Sequence, residues 1–263
     1  YYAKSGESFN IIVQNKLDQP TVIHWHGLVL PNSQDGTELT QQVIAPNSQY
    51  RYNFKLANTG TFWMHSHYKM QEALFAEAPL IIESAQDARY QQVVVMFQDF
   101  SFKSPEQILQ QLTTTAKPMD MQSSAMHNNM PGMKMDDMMA DKDNSMDLND
   151  VDYDAYLTNY HTTPNPQVTK VKPGSQVKLR FINGSSSSNF WINLGQLTGS
   201  AVAVDGHEIN PITGSKFQLA IAQRIDIIIN IPKSGGTFPI IGQVEGLKKQ
   251  TGLILTRDTK VKA

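Results

Sequence analysis

Two His-X-His pairs, His24-Trp25-His26 and His65-Ser66-His67, constrain this chain more than any other feature. Residues i and i+2 project from the same face of a β-strand, so each pair sets two imidazoles side by side. Strand-like runs lead into both, Pro20-Thr-Val-Ile before the first and Gly60-Thr-Phe-Trp-Met before the second. By parity, Trp63 shares the histidine face. Two such strands laid together aim four neutral nitrogens at one small volume, which makes a metal site. Imidazole-only ligation suits copper, zinc or non-haem iron rather than calcium or magnesium.

The surrounding sequence supplies the strands. Ser8–Asn15, Thr21–His26, Gln49–Leu56 and Pro79–Ser84 are short runs rich in β-branched and aromatic residues. Turn clusters such as Asn32-Ser-Gln-Asp-Gly and Ala57-Asn-Thr-Gly separate them. Tyr50, Tyr52, Phe54 and Leu56 alternate, as in a half-buried strand. Residues 85–92 read as a polar connector, after which Val93-Val-Val-Met-Phe opens a second β segment. Its strand signals resume after Val151, at 168–171, 176–182, 190–194, 200–204, 217–221, 225–231 and 252–256. Ser104-Pro105-Glu106 places an N-cap, a first-turn proline and an acid, predicting a short helix over 105–113. The pattern is that of an all-β protein with two similar domains in tandem, residues 1–84 and 85–263.

Composition closes off other classes. The 263 residues carry 22 basic against 24 acidic side chains, and no basic stripe marks a nucleic-acid partner. The apolar runs have strand length, so no membrane span is expected. The first residues resemble no signal peptide and lack an initiator Met, so the chain is expected to be processed or truncated at its start. Cysteine is absent, which excludes disulfides, iron–sulfur clusters, thiolate nucleophiles and Cys-ligated zinc.

Methionine is concentrated instead: of 12 in the chain, nine lie between Met119 and Met146. From Lys117 to Asp154 there are nine Asp against three Lys, and 117–150 hold almost no β-branched or aromatic residue. Such a stretch cannot fill a regular core and reads as an insertion in the second domain. Thioethers are soft donors for Cu(I), which makes Met119, Met121, Met126, Met130, Met133, Met135, Met138 and Met139 candidate ligands.

The motifs resemble those of multicopper oxidases, in the branch related to bacterial periplasmic copper-resistance oxidases. His24-Trp-His-Gly, Asp35-Gly, Thr40-Gln, Ile44-Ala-Pro, Tyr50-Arg-Tyr-Asn-Phe, Gly60-Thr-Phe-Trp-Met-His-Ser-His and Pro79-Leu-Ile-Ile-Glu follow the order of that family's first domain. Tyr153-Asp-Ala-Tyr-Leu, Val171-Lys-Pro-Gly, Arg180-Phe-Ile-Asn, Ala203-Val-Asp-Gly and Ala222-Gln-Arg-Ile-Asp-Ile resemble its second. The resemblance implies two cupredoxin-like Greek-key β-sandwiches and a periplasmic or secreted location. It implies that His24 serves the type 2 copper, His26 and His65 one type 3 copper, and His67 the other. Asp35 matches an acidic residue that assists proton delivery, and O2 reduction to water consumes four protons. The activity implied is oxidation of Cu(I) or phenol-like donors coupled to O2 reduction, in copper tolerance.

One departure changes what these residues accomplish here. The family's cluster takes eight histidines, half of them from a later domain whose His-Cys-His motif also holds the type 1 copper. This chain has no Cys, and His127, His161 and His207 form no such motif. His161 and His207 read as surface residues. The expectation is therefore the first two domains of the enzyme, inactive alone, with a further cupredoxin domain as partner. Self-association through the face left for that domain is also expected. The rival readings are a non-enzymatic copper-sequestering protein, a superoxide-dismutase-like site and a purely structural β protein.

Overall fold

The computed structural model describes residues 1–115 and 151–258. Six strands form from the N-terminal part: β1 (Tyr2–Lys4), β2 (Ser8–Gln14), β3 (Ile23–His26), β4 (Gln49–Lys55), β5 (Gly60–Ser66) and β6 (Glu77–Glu83). β2 pairs with β4, and the rest make a sheet in the order β1-β6-β5-β3. Phe9, Trp25, Tyr52, Phe54, Phe62, Leu80 and Ile82 fill the space between the two sheets. Each such side chain contributes roughly 1.5–3 kcal/mol on burial.

The second part holds β7 (Gln91–Phe100), α1 (Pro105–Thr115), β8 (Ala155–Thr158), β9 (His161–Thr162), β10 (Val168–Lys170), β11 (Gln176–Asn183), β12 (Phe190–Asn193), β13 (Gly199–Val204), β14 (His207–Gly214), β15 (Lys216–Leu219), β16 (Arg224–Asn230), β17 (Thr237–Val244) and β18 (Gln250–Thr256). A seven-stranded sheet, β14-β13-β16-β11-β7-β8-β9, packs on a five-stranded one, β10-β18-β17-β12-β15. Val95, Phe97, Leu179, Phe181, Ile227 and Ile229 meet Phe190, Ile192, Leu219, Ile240 and Leu255 in this core. The molecule is thus two β-sandwiches in tandem, and α1 starts at Pro105 as its capping signals require.

Four strands of the second part carry no sequence signal. β14 and β17 each contain a proline, Pro211 and Pro239, and proline argues against a strand. β8 and β9 are only four and two residues long, too short for a period to show. The connector at 85–92 also needs correction. Ala85–Arg89 is a 3-10 turn capped by Ser84, and its Asp87 is buried against Lys178 and Arg180. No helix among the described residues is long and apolar enough to cross a membrane.

The two sandwiches meet along β5. Its alternation sends Phe62 into the first core, while Trp63 packs against Met96 and Ile182 of the second part. Thr61, on the Trp63 side, donates to the Asp226 carboxylate at 2.5 Å and accepts from Arg180 Nη1 at 3.0 Å. Arg180 also pairs with Asp226 at 2.7 Å, its direct neighbour across the β11–β16 ladder. β11 and β16 therefore turn apolar residues into their own sandwich and charged ones toward β5.

Candidate metal centre

β3 and β5 are antiparallel neighbours, with His24 opposite His65 and His26 opposite Trp63. Directly opposed residues point to the same face, so the register alone assembles the imidazoles. Ring nitrogens of His24, His26 and His65 lie within 4.8 Å of one another. His67, just past β5 and exposed, is held by its backbone N–H to the Val22 carbonyl at 2.9 Å. Its ring centroid is 5.7 Å from that of His24 and 5.9 Å from that of His65.

Hydrogen bonds select which nitrogen of the His24 and His65 rings carries a lone pair. His24 Nδ1 lies 2.7 Å from the Asp35 carbonyl, which can only accept, so this nitrogen holds the proton and Nε2 is free. His65 Nδ1 faces the Glu72 carboxylate at 3.0 Å and the Ser66 carbonyl at 3.2 Å, with the same consequence. The freed His65 Nε2 lies 3.4 Å from His26 Nδ1. Two nitrogens bound to one ion at tetrahedral angles would be about 3.3 Å apart. The pair already stands at ligand spacing.

The electrostatics favour the neutral form of His24 and His26. Burial pushes the His26 imidazole down to about 3, helped by the Arg224 charge and the neighbouring rings. Burial also lowers His24, partly offset by its bond to the Asp35 carbonyl. Trp63 stacks on His65 at 4.4 Å and on His26 at 5.1 Å between ring centroids, walling the site on the sandwich side. An all-imidazole set with acidic partners on the outer nitrogens fits copper.

The structure brings His24, His26, His65 and His67 together, and Asp35 stands beside them with its carboxylate 3.5 Å from His24 Nδ1. His161 and His207 are exposed on β9 and β14. Met119, Met121, Met126, Met130, Met133, Met135, Met138 and Met139 lie outside the described residues. Sequence reasoning missed three contributors. Glu72, five residues past His67, could have been weighed as a partner for a histidine. Arg224 comes from the second sandwich, and the buried Glu77 from the next strand, opposite His65; no local period marks either.

A family model described as multicopper oxidase matches residues 2–87, and a second of the same description matches 91–257. Copper resistance protein A of Escherichia coli is 32% identical, the match covering 91% of this chain and 42% of the relative. A multicopper oxidase of Mycobacterium tuberculosis is 28% identical, over 93% of this chain and 48% of its own length. The laccase from Botrytis aclada superposes with a TM-score of 0.75 and 26% identity, over 100% of this chain and 47% of that one. The chain thus spans less than half the length of these relatives, and both sandwiches have the cupredoxin-like fold. Paired histidines on adjacent strands and matches along both sandwiches lead to one assignment: the chain belongs to the multicopper oxidase family.

Proposed function

We propose that this chain is the copper-binding N-terminal part of an oxidase that couples oxidation of Cu(I) or phenol-like donors to reduction of O2 to water, in copper tolerance. The observation that carries the reading is the meeting of His26 and His65 nitrogens at 3.4 Å within the cluster of His24, His26 and His65, with the His67 ring 5.7 Å from that of His24. In this reading His24 serves the type 2 copper, His26 and His65 one type 3 copper, and His67 the other. Bound copper would supply the one-electron steps that O2 reduction needs. The protein's own residues do the rest. Asp35 and Glu72 fix the outward tautomers of His24 and His65. Trp63 excludes water from one side of the rings. Asp35, half-exposed at the rim, can hand a proton inward from solvent.

The remaining ligands and the electron-entry copper belong, in this proposal, to a further cupredoxin domain. The share of the relatives that the chain covers supports that division. We place the boundary of the two domains here at residues 84/85 and the protein in the periplasm or secreted space. The methionine tract adds thioether donors for Cu(I).

The test is copper stoichiometry of the purified chain beside a His24→Ala/His26→Ala/His65→Ala variant, with O2 uptake on a phenolic donor. Because the tract can retain copper of its own, the difference between the two proteins is read. Loss of copper in the variant and no O2 uptake by either protein are expected. Equal copper in both would overturn the site, and O2 uptake by the parent chain would overturn the division of labour.

A further inference from the structure

Arg224 opens β16 of the second sandwich, yet its guanidinium is buried beneath the first sandwich's histidine turn. Gly27 follows His26 directly and has φ +88°; a Cβ there would stand 2.1 Å from Arg224 Nη2. No other residue type leaves room for the side chain where it lies. Nε donates to the Thr61 carbonyl at 3.1 Å, on the strand that bears His65. Nη1 donates to the Ala222 carbonyl at 3.2 Å and pairs with Asp205 at 3.1 Å, anchoring the group to its own domain. The guanidinium carbon also sits 5.8 Å from the centre of the Phe62 ring.

These contacts differ in kind from those of the other metal-site neighbours. Asp35 and Glu72 belong to the first sandwich and touch ring nitrogens. Arg224 touches no ring nitrogen that would bind metal. It packs closely under Gly27, in the turn that ends β3, while its Nε bonds the Thr61 carbonyl of β5.

Resting on the copper-site reading above, we infer that Arg224 is a positioning residue: the second domain uses it to fix the His24-Trp25-His26-Gly27 turn against β5, so that the imidazoles are preorganised for metal. His24 and His26 depend on this support. His65 and His67 are held by β5, by Glu72 and by the Val22 carbonyl, and do not.

The experiment uses the whole chain with Zn(II) as a redox-silent probe, titrated against a competing chelator. Histidine-ring NMR is recorded first on the metal-free protein. Arg224→Met is expected to shift and broaden the ring signals of His24 and His26 while those of His65 and His67 stay in place. Its Zn(II) affinity should fall about 10- to 100-fold, as for other residues that orient ligands from behind. Arg224→Lys, which keeps the charge and length but not the fork, should fall between parent and Met variant. Asp205→Asn weakens the guanidinium's anchor at Nη1 while leaving Gly27 and β5 untouched, and should reproduce the pattern in milder form. It supplies the answer where Arg224→Met does not fold.

Parent-like ring signals and affinity in a folded Arg224→Met and in Asp205→Asn would overturn the inference and leave the copper site standing. Uniform perturbation of all four rings would also overturn it, because that is the mark of a merely structural role. A parent chain whose four rings ignore Zn(II) would instead sink the copper-site reading and, with it, this inference.

Discussion

At the residue scale, the site depends on acids as much as on imidazoles. Glu72 receives the His65 Nδ1 proton at 3.0 Å and so turns Nε2 toward His26. Glu72→Gln keeps the size but exchanges the charged acceptor for an amide. We expect metal affinity about tenfold or more weaker, by chelator competition, with little change in unfolding temperature. Glu77 acts differently. It lies opposite His65 on β6, is buried, and accepts from Gln98 Nε2 at 2.7 Å. Burial raises its carboxyl from 4.5 to about 8, with Glu72 and Asp99 adding repulsion. A folded-state value above the unfolded one means stability is full below pH 4.5 and is lost as pH rises toward 8. The expected slope is about 1.4 kcal/mol per pH unit over that window. Glu77→Gln should flatten it in urea unfolding series at several pH values; an unchanged slope would assign the dependence elsewhere.

At the element scale, β3 and β5 each serve two environments through their alternation. Ile23 and Trp25 enter the first core while His24 and His26 face the site. The 3-10 turn Asn32–Gln34 brings Asp35 back to His24, and this return demands Gly36. Gly36 has φ +78°, and a Cβ there would lie 1.7 Å from the Ile23 carbonyl oxygen. Gly36→Ala should cost roughly 3 kcal/mol or more, combining a left-handed backbone with a clash against β3. Thermal unfolding measures the cost, and loss of the His24 ring signal shift would show the turn displaced. An alanine variant of native stability would contradict the geometry.

At the scale of the whole molecule, the seam between the sandwiches buries a polar network beside the apolar contact of Trp63 with Met96 and Ile182. Arg180 is fully buried and holds Asp226 at 2.7 Å and Asp87 at 2.9 Å, while Asp226 takes the Thr61 hydroxyl from β5. Tyr160 adds a bond from its hydroxyl to the Glu77 carbonyl at 2.9 Å. Breaking one partner of such a network strands the others. Arg180→Met should cost about 3–5 kcal/mol by leaving the buried Asp226 carboxylate with no cation and only the Thr61 hydroxyl, while Asp87 keeps Lys178. Calorimetry of the parent should show one transition for both sandwiches, and Arg180→Met should lower it or divide it. Two separate transitions in the parent would mean that the seam contributes little.

The all-β class, the runs that became β2 to β6, the helix at Pro105 and the four histidines were legible because each rests on a local period or cap. An i,i+2 spacing needs only a strand to become a pair of imidazoles side by side on one face, and turn residues bound that strand on both sides. Asp35 was legible through its motif, although its partner on the His24 ring was not. What stayed hidden depends on segments far apart in the chain. Strands broken by Pro211 and Pro239 form because neighbouring strands supply the pairing. Asp226 reads as an oddity within an isoleucine run until β5 lies across it. Arg224 meets Gly27 only when two sandwiches pack. Local periodicity tells which face of a strand is apolar; which partner that face meets, and which buried charges answer one another, depends on folding in three dimensions.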